Sequence, residues 1–155
     1  MQYIMNNARK LRGFTLVEIA IVIAILAIVM GATLPKLIDI YAEFKLAGAA
    51  KTLAAHLEYL KQSTITEQVN RVADFNGSTY TIAGLKDPVN PEAGDIAGPA
   101  YGEVTTTANL AFDLGGSPTD GSGGLKTTDL VLTITDGERS HTVTITAYTG
   151  FIEVN

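Results

Sequence analysis

Glu18 is the only ionisable side chain in the 21 residues from Phe14 to Leu34. A run of this length and composition is enough to cross a bilayer as a helix, which needs roughly 20 apolar residues. A carboxylate in hydrocarbon is costly unless a partner compensates its charge, so an acid at this depth indicates a functional group. The chemistry expected of Glu18 is therefore the pairing of its carboxylate with a cation at the same depth.

Three basic residues, Arg9, Lys10 and Arg12, stand just before the apolar run, and no acidic residue precedes Glu18. Basic residues beside a membrane span favour the cytoplasmic side. This asymmetry predicts a cytoplasmic N-terminus and a single-pass topology that places the residues after Leu34 outside, in the periplasm if the cell has two membranes.

Three kinds of segment begin in this way. A secretory signal is basic and then apolar, but its apolar region usually has about 7–15 residues and no carboxylate. The small residues Gly31-Ala32-Thr33 would be its cleavage site. A plain membrane anchor accounts for the length of the run but gives no reason for Glu18.

The third kind accounts for each feature, because residues 12–18, Arg-Gly-Phe-Thr-Leu-Val-Glu, resemble the class III signal of type IV pilins and of the pseudopilins of type II secretion. In that family a short basic leader ends in Gly, and a prepilin peptidase cuts after it. The next residue, usually Phe, is N-methylated, and a Glu follows four residues later. The resemblance implies a leader of residues 1–13, cleavage between Gly13 and Phe14, a methylated Phe14, and a role in assembly for Glu18.

The chemistry of these residue types agrees with the resemblance. Gly13 has no Cβ, so the backbone at the scissile bond can lie close inside a protease groove. Cleavage at this place would leave the membrane segment on the mature chain and create a cationic amino group at Phe14. Glu18 lies one helical turn further on, within reach of that group or of the same group on a neighbouring subunit.

The family also implies partners and a location. The partners are the prepilin peptidase/N-methyltransferase, other pilin or pseudopilin subunits, and an inner-membrane assembly platform with its ATPase. The location is the bacterial inner membrane, and the filament after assembly. No cofactor or metal is implied.

Apolar residues at spacings of three and four continue the helix beyond the membrane segment. The stripe comprises Leu37, Tyr41, Phe44, Leu46, Ala50, Leu53, Leu57 and Leu60. We expect residues 14–34 to span the membrane and residues 35–66 to continue the same helix as an amphipathic segment. From Phe14 to Thr64 such a helix would be about 75 Å long, so its first half must pack on lipid or on other copies.

Pro35 interrupts the hydrogen bonding of this helix, because it has no backbone N–H and its ring crowds the carbonyl four residues earlier, that of Gly31. Gly31 is itself a poor helix former. The pair predicts a weak point at the membrane exit: either a static kink or, as the family resemblance suggests, a segment that unwinds when subunits pack.

Residues 67–155 are expected to form a β-rich domain with Gly- and Pro-rich loops between residues 76 and 124. Short strands are predicted at Thr79–Ala83 and Asn109–Leu114, and a last strand at residues 151–154. Residues 130–135 and 142–147 alternate apolar and polar side chains around Asp136-Gly137, which predicts a hairpin with a tight turn. The whole is an α+β fold, a long N-terminal helix packed on an antiparallel sheet, which is also the pilin architecture.

Other candidate sites are weaker. His56 and His141 lie in no recognisable catalytic motif, so structural or surface roles are expected for both. Asp113, Asp120 and Asp129 flank the Gly-rich loop and could meet around calcium, but their spacing is not that of an EF-hand and a solvated loop is the simpler interpretation. The small residues Ala47-Gly48-Ala49-Ala50 offer a helix face that another helix could approach.

Composition excludes several classes of function. The formal net charge is −5, and removal of residues 1–13 takes away three of the 11 basic side chains and none of the 16 acidic ones, leaving −8. So acidic a chain is a poor nucleic-acid binder. The absence of cysteine excludes a disulfide framework and thiolate metal sites.

The function expected is that of a structural subunit of a type IV pilus-like filament. There is no C-terminal cysteine pair of the kind many major pilins carry, and the arrangement of loops and final strands resembles the H-type minor pseudopilin and related minor pilins. A minor pseudopilin and a minor pilin therefore both stay open. The rival hypothesis is a single-pass membrane-anchored binding module outside any filament, and an enzyme is not expected because no acid/base or nucleophile set is present.

Overall fold

The computed structural model describes residues 14–106 and 108–155. Within these residues, one long N-terminal helix and nine short antiparallel strands confirm the predicted α+β architecture. The chain divides into two compact units, one that ends at Ile40 and one that spans Tyr41–Asn155.

Helix α1 spans Leu16–Glu67, and it ends one residue beyond the predicted limit. The assignment runs without a break through Gly31 and Pro35. At the C-terminal end, Gln68 adopts a left-handed conformation with φ 57°. Its N–H donates to the carbonyl oxygen of Thr64 at 3.0 Å, which satisfies one of the carbonyls that a helix leaves open at its end.

The unit that ends at Ile40 presents its apolar side chains to the surroundings. Ile28 and Leu16 are 74% and 87% exposed, and the most apolar window of the helix has no residue buried against the rest of the protein. By length and composition this helix could cross a membrane.

The unit that begins at Tyr41 contains two antiparallel sheets and one turn of 3₁₀ helix at Pro91–Ala93. The first sheet has the strand order β3-β2-β1-β5-β6 and the second the order β4-β7-β8-β9. The strands are β1 Val72–Asn76, β2 Thr79–Lys86, β3 Asp95–Gly98, β4 Glu103–Thr105, β5 Leu110–Phe112, β6 Pro118–Thr119, β7 Leu130–Thr135, β8 Ser140–Ile145 and β9 Ile152–Val154.

The core of this unit lies between the helix and both sheets. The face of α1 from Leu46 to Leu60 is fully buried at its leucines, and it packs with Tyr80 and Ile82 of the first sheet and Ile134 of the second. Each such leucine adds about 1.5–3 kcal/mol by leaving water. Tyr41 and Phe44, placed in the same stripe by the sequence pattern, are 62% and 73% exposed, because the buried face of the helix begins only at Leu46.

The predicted hairpin is β7 and β8, in register from Leu130↔Ile145 to Thr135↔Ser140. Its turn is a loop of four residues, 136–139, which begins with the predicted Asp136-Gly137. Side-chain hydrogen bonds stabilise this loop. Asp136 Oδ1 accepts the N–H groups of Glu138 and Arg139, at 3.1 Å and 2.8 Å.

The remaining strands agree with the predictions in part. β2, β5 and β9 lie at the three predicted places, although β2 continues to Lys86 and β8 ends at Ile145, two residues before Ala147. The sequence patterns missed four short strands, β1, β3, β4 and β6.

Candidate functional site

The candidate site is the start of α1, where Phe14 and Glu18 stand. Gly13 and the rest of residues 1–13 lie outside the described residues. Of the two residues at the predicted cleavage site, the structure therefore describes Phe14. Phe14 precedes the helix, and its side chain is 75% exposed.

Thr15 and Glu18 form two reciprocal hydrogen bonds at the first turn of the helix. The N–H of Glu18 donates to Oγ1 of Thr15 at 3.2 Å, and the N–H of Thr15 donates to Oε2 of Glu18 at 3.5 Å. This reciprocal pair is a capping box, with Thr15 as the N-cap residue and Glu18 at the third helical position. It satisfies two backbone donors that the start of a helix leaves open.

The capping box gives Glu18 a second possible role that the sequence interpretation missed. The signal was readable, because Thr-x-x-Glu directly before an apolar run is the usual pattern of a capping box. The carboxylate also lies in the first turn, where the helix dipole favours negative charge. Its place is therefore fixed by local hydrogen bonds, close to where a cleaved chain would carry its amino group.

The second pair of predicted residues, Gly31 and Pro35, lies within α1. A Cβ added at Gly31 would meet nothing within 4 Å apart from its chain neighbours and the backbone of its own helix. Between the two residues, Thr33 Oγ1 donates to the carbonyl oxygen of Val29 at 2.9 Å. Such a bond back to the preceding turn often accompanies a bend, so the turn from Gly31 to Pro35 carries three departures from regular helix chemistry.

The three aspartates considered as calcium ligands each accept hydrogen bonds from backbone N–H groups, Asp113 and Asp120 within their own loops and Asp129 from the segment after β8. Asp113 Oδ1 accepts from the N–H of Gly115 and of Ser117, at 2.9 Å and 2.8 Å. Asp129 Oδ1 accepts from the N–H of Ala147 at 2.8 Å. Within residues 14–106 and 108–155, no three His, Asp or Glu side chains are grouped as they would be around a metal ion.

Asp120 behaves in the same way. Its Oδ1 accepts the N–H groups of Gly124 and Ser122, both at 2.9 Å. These bonds, that from Gly124 above all, lower the pKa of Asp120 because they favour its charged form. The side chain thus organises the Gly-rich loop.

His141 joins the hairpin to the helix. Its Nε2 lies 2.9 Å from Oε1 of Glu43, and Arg139 Nε lies 3.9 Å from the other oxygen of that carboxylate. Arg139 also pairs with Asp136 at 3.0 Å. This cluster could not be predicted from sequence patterns, because Glu43 and His141 are 98 residues apart.

His56 is buried in the core against β2. Its Nδ1 lies 2.8 Å from the hydroxyl oxygen of Tyr80. Burial lowers the pKa of His56, and the negative charge of Asp87 opposes that shift. Burial also raises the pKa of Tyr80, with a further contribution from Asp87, so its hydroxyl stays protonated beside His56.

Comparison with known proteins gives one finding at the candidate site. Residues 8–34 match the prokaryotic N-terminal methylation motif. This motif marks the class III signal of type IV pilins and pseudopilins, and its family is structural and not catalytic. It implies processing by a prepilin peptidase and assembly with other pilins.

The match ends at residue 34, before the β-rich unit. No curated protein and no solved structure shows significant similarity to the chain. The chain is therefore pilin- or pseudopilin-like by its N-terminal signal and by its α+β architecture, and the motif together with the apolar helix supports membrane anchoring.

Proposed function

We propose that the chain is a structural subunit of a type IV pilus-like filament, either a minor pseudopilin of type II protein secretion or a minor type IV pilin. The observation that carries the proposal is the match at residues 8–34, with Gly13, Phe14 and Glu18 at the places that the signal requires. The exposed apolar helix that follows supports it, since a surface of this kind needs lipid or other helices around it.

In this proposal the subunit exists in two states. Before assembly, residues 14–34 hold it in the bacterial inner membrane, with the domain after residue 66 in the periplasm. An assembly platform and its ATPase then move it into the filament, where neighbouring helices replace lipid. The cationic amino group of Phe14 compensates Glu18, within the subunit or across to its neighbour, and the pairing sets how far each helix advances.

Gly31 and Pro35 are assigned a mechanical role in the same proposal. Pro35 removes one hydrogen bond of the helix, and Gly31 carries the carbonyl that loses it. A helix that is weak there can lengthen locally without disturbing the capped turn at Thr15 or the buried face that begins at Leu46.

Two features favour a minor subunit over a major one. The chain has no cysteine, so it lacks the C-terminal pair that many major pilins use to close a receptor-binding loop. The order of loops and final strands, with Gly150-Phe151-Ile152 leading into the last one, resembles the arrangement of the H-type minor pseudopilin and of related minor pilins.

Processing is the first test. We expect the bond between Gly13 and Phe14 to be cut and Phe14 to be methylated on its new amino group. Gly13→Val should leave the precursor uncut, because a β-branched side chain cannot follow the close path of the backbone through the protease. N-terminal sequencing and intact mass of membrane-extracted protein measure both.

The same measurement separates the alternatives. A mature terminus at Ala32 or Thr33 would identify an ordinary secreted protein. An uncut chain in cells that process another pilin correctly would identify the rival, a single-pass anchored binding module of the periplasm.

A further inference from the structure

A cleft of about 430 Å³ lies within the unit Tyr41–Asn155, between one face of α1 and the segments before and after β3. The residues whose chemistry defines it are Lys45, Gly48, His56, Asp87 and Tyr101. None of them belongs to the N-terminal signal, and the proposed filament function does not use them.

One end of the cleft carries a positive charge. The ammonium of Lys45 lies 4.7 Å from the ring centre of Tyr41 and 5.5 Å from that of Tyr101, which are cation–π distances. Among the described residues no carboxylate lies within ion-pairing distance of this ammonium, and no oxygen accepts a hydrogen bond from it. Its donors therefore face the cleft and the solvent.

The other end carries a negative charge beside a buried histidine. Asp87 accepts the N–H groups of Val89 and Asn90 through Oδ1, and no described residue bonds to its Oδ2. His56 is 9% exposed, and its Nδ1 lies 2.8 Å from the hydroxyl oxygen of Tyr80. Its Nε2 has no partner within the described part of the chain, and it carries the proton when Nδ1 accepts from the hydroxyl.

The two charges line one cleft without neutralising each other, since Lys45 and Asp87 form no ion pair. Lys45 and His56 are 11 positions apart on α1, which corresponds to about 16 Å along the helix axis. Asp87 acts electrostatically on His56, so it belongs to the His56 end. An extended peptide advances about 3.3–3.6 Å per residue, so five residues cover this distance.

The wall between the charges is narrow and mostly apolar. It is formed by small residues: Gly48 and Ala49 of the helix, and Ala97, Gly98 and Ala100 around the end of β3. A Cβ added at Gly48 would meet nothing within 4 Å, so space stays open above it. Such a wall accepts a peptide backbone with small side chains.

We propose that this cleft binds a short extended peptide with free ends, its terminal carboxylate at Lys45 and its terminal ammonium at Asp87. In this complex Nδ1 of His56 accepts from Tyr80, and its Nε2–H donates to a backbone carbonyl of the peptide near its amino end. Charge complementarity carries the proposal, because a peptide zwitterion is a ligand that satisfies both unpaired charges and the free imidazole donor together.

The test is calorimetric titration of the full chain, in a mild detergent, with penta-alanine in four forms: free, N-acetylated, C-amidated, and blocked at both ends. We expect the free peptide to bind most tightly. Lys45→Gln should weaken the free and N-acetylated peptides about tenfold and leave the C-amidated one unchanged. Asp87→Asn should weaken the free and C-amidated peptides and leave the N-acetylated one unchanged, since the amide keeps an acceptor for Val89 and Asn90.

Matched controls separate binding from folding. Gly48→Leu should abolish binding by filling the cleft while it raises helix propensity. Ala55→Leu and Lys51→Gln, at exposed positions of the same helix outside the cleft, should bind as the wild type does. Absence of binding, equal binding of the doubly blocked peptide, or unchanged binding by Gly48→Leu would each overturn the proposal, and circular dichroism verifies that every variant is folded.

Discussion

The side chain of Glu18 combines a charge with a capping acceptor, and Glu18→Ala removes both. A carboxylate at this depth costs about 2.5–3.5 kcal/mol on insertion scales. We therefore expect Glu18→Ala to leave membrane insertion and cleavage nearly intact and to impair incorporation into filaments. Glu18→Asp, which is one methylene shorter, should be partly defective. Fractionation of sheared filaments against membranes measures the effect.

Glu18→Gln isolates the charge, because glutamine also closes a capping box. If charge pairing sets the register, Gln should be as defective as Ala; if the cap is what matters, Gln should assemble normally while Thr15→Ala does not. Normal incorporation of Glu18→Ala contradicts the register role. The position of the wild type along the filament is determined first, since a subunit at the tip has no subunit ahead of it.

His56 makes the stability of the domain depend on pH. The pKa of His56 in the folded chain is lowered below the ordinary value of 6.5. The unfolded chain therefore binds a proton at this histidine at a higher pH than the folded chain does. The part of the free energy of unfolding that depends on neutral His56 is fully present above pH 6.5, and it declines as the pH drops from there towards the pKa of the folded chain. Thermal unfolding of the full chain in detergent at pH 7.5 and pH 5 should show this decline.

His56→Gln removes the titrating ring, so its melting temperature should change less between the same two pH values. The control is Lys51→Gln, at an exposed position of the same helix, which keeps both histidines and should decline as the wild type does. An equal decline in wild type and His56→Gln would assign the effect to other groups.

At the scale of elements, the two parts of α1 have different surroundings, and this predicts how fragments behave. A fragment that begins between residues 38 and 42 should be soluble, monomeric and folded, because it lacks the apolar span and keeps Leu46–Leu60. A fragment that begins at residue 65 should aggregate, since both sheets lose the helix that covers them. Size-exclusion chromatography and circular dichroism compare the two, and a well-folded short fragment would show that the sheets need no helix.

Patterns with a regular period were predictable from the sequence. The 3.6-residue period located α1 to within one residue at its end, and strict alternation located β7 and β8 because one face of each is buried. β3 and β4 are short strands whose ends are set by pairing with β2 and β7. Pairing of this kind produces no periodic pattern of apolar residues in the sequence.

One of the two candidate sites could be predicted from the sequence, and the other could not. The signal around Gly13, Phe14 and Glu18 is contiguous, so it could be identified from residue types alone. The cleft depends on Lys45, His56 and Asp87, which come together only when the loop after β2 folds beside the helix. Charges that are distant in sequence cannot be recognised as neighbours without the fold.

At the scale of the whole domain, Gly150 lies just before the last strand, β9, and forms a hydrogen bond with the helix. Its carbonyl accepts from Nζ of Lys61 at 3.0 Å, and a Cβ at this position would collide with the carbonyl oxygen of Gly116. Its φ of 62° adds strain for any other residue. Gly150→Ala should therefore lower the free energy of unfolding by about 1–3 kcal/mol.

Gly137→Ala is the matched control, because Gly137 also has a positive φ, 93°, but open space around its Cβ. It should cost less than Gly150→Ala. Urea denaturation of the two variants measures the difference, and equal losses would mean that the contact with Gly116 has no cost of its own.

The contacts of Glu43 with His141 and of Lys61 with Gly150 join residues 98 and 89 positions apart. Ribosomes add about 5–20 residues per second, so roughly 5–20 s separate the synthesis of Glu43 and Lys61 from that of their partners in and after β8. Loop closure over such distances is slow as well as late. During that interval the leucine face of α1 is open to wrong partners, and a nascent chain stalled before residue 140 would be a substrate for chaperones and proteases.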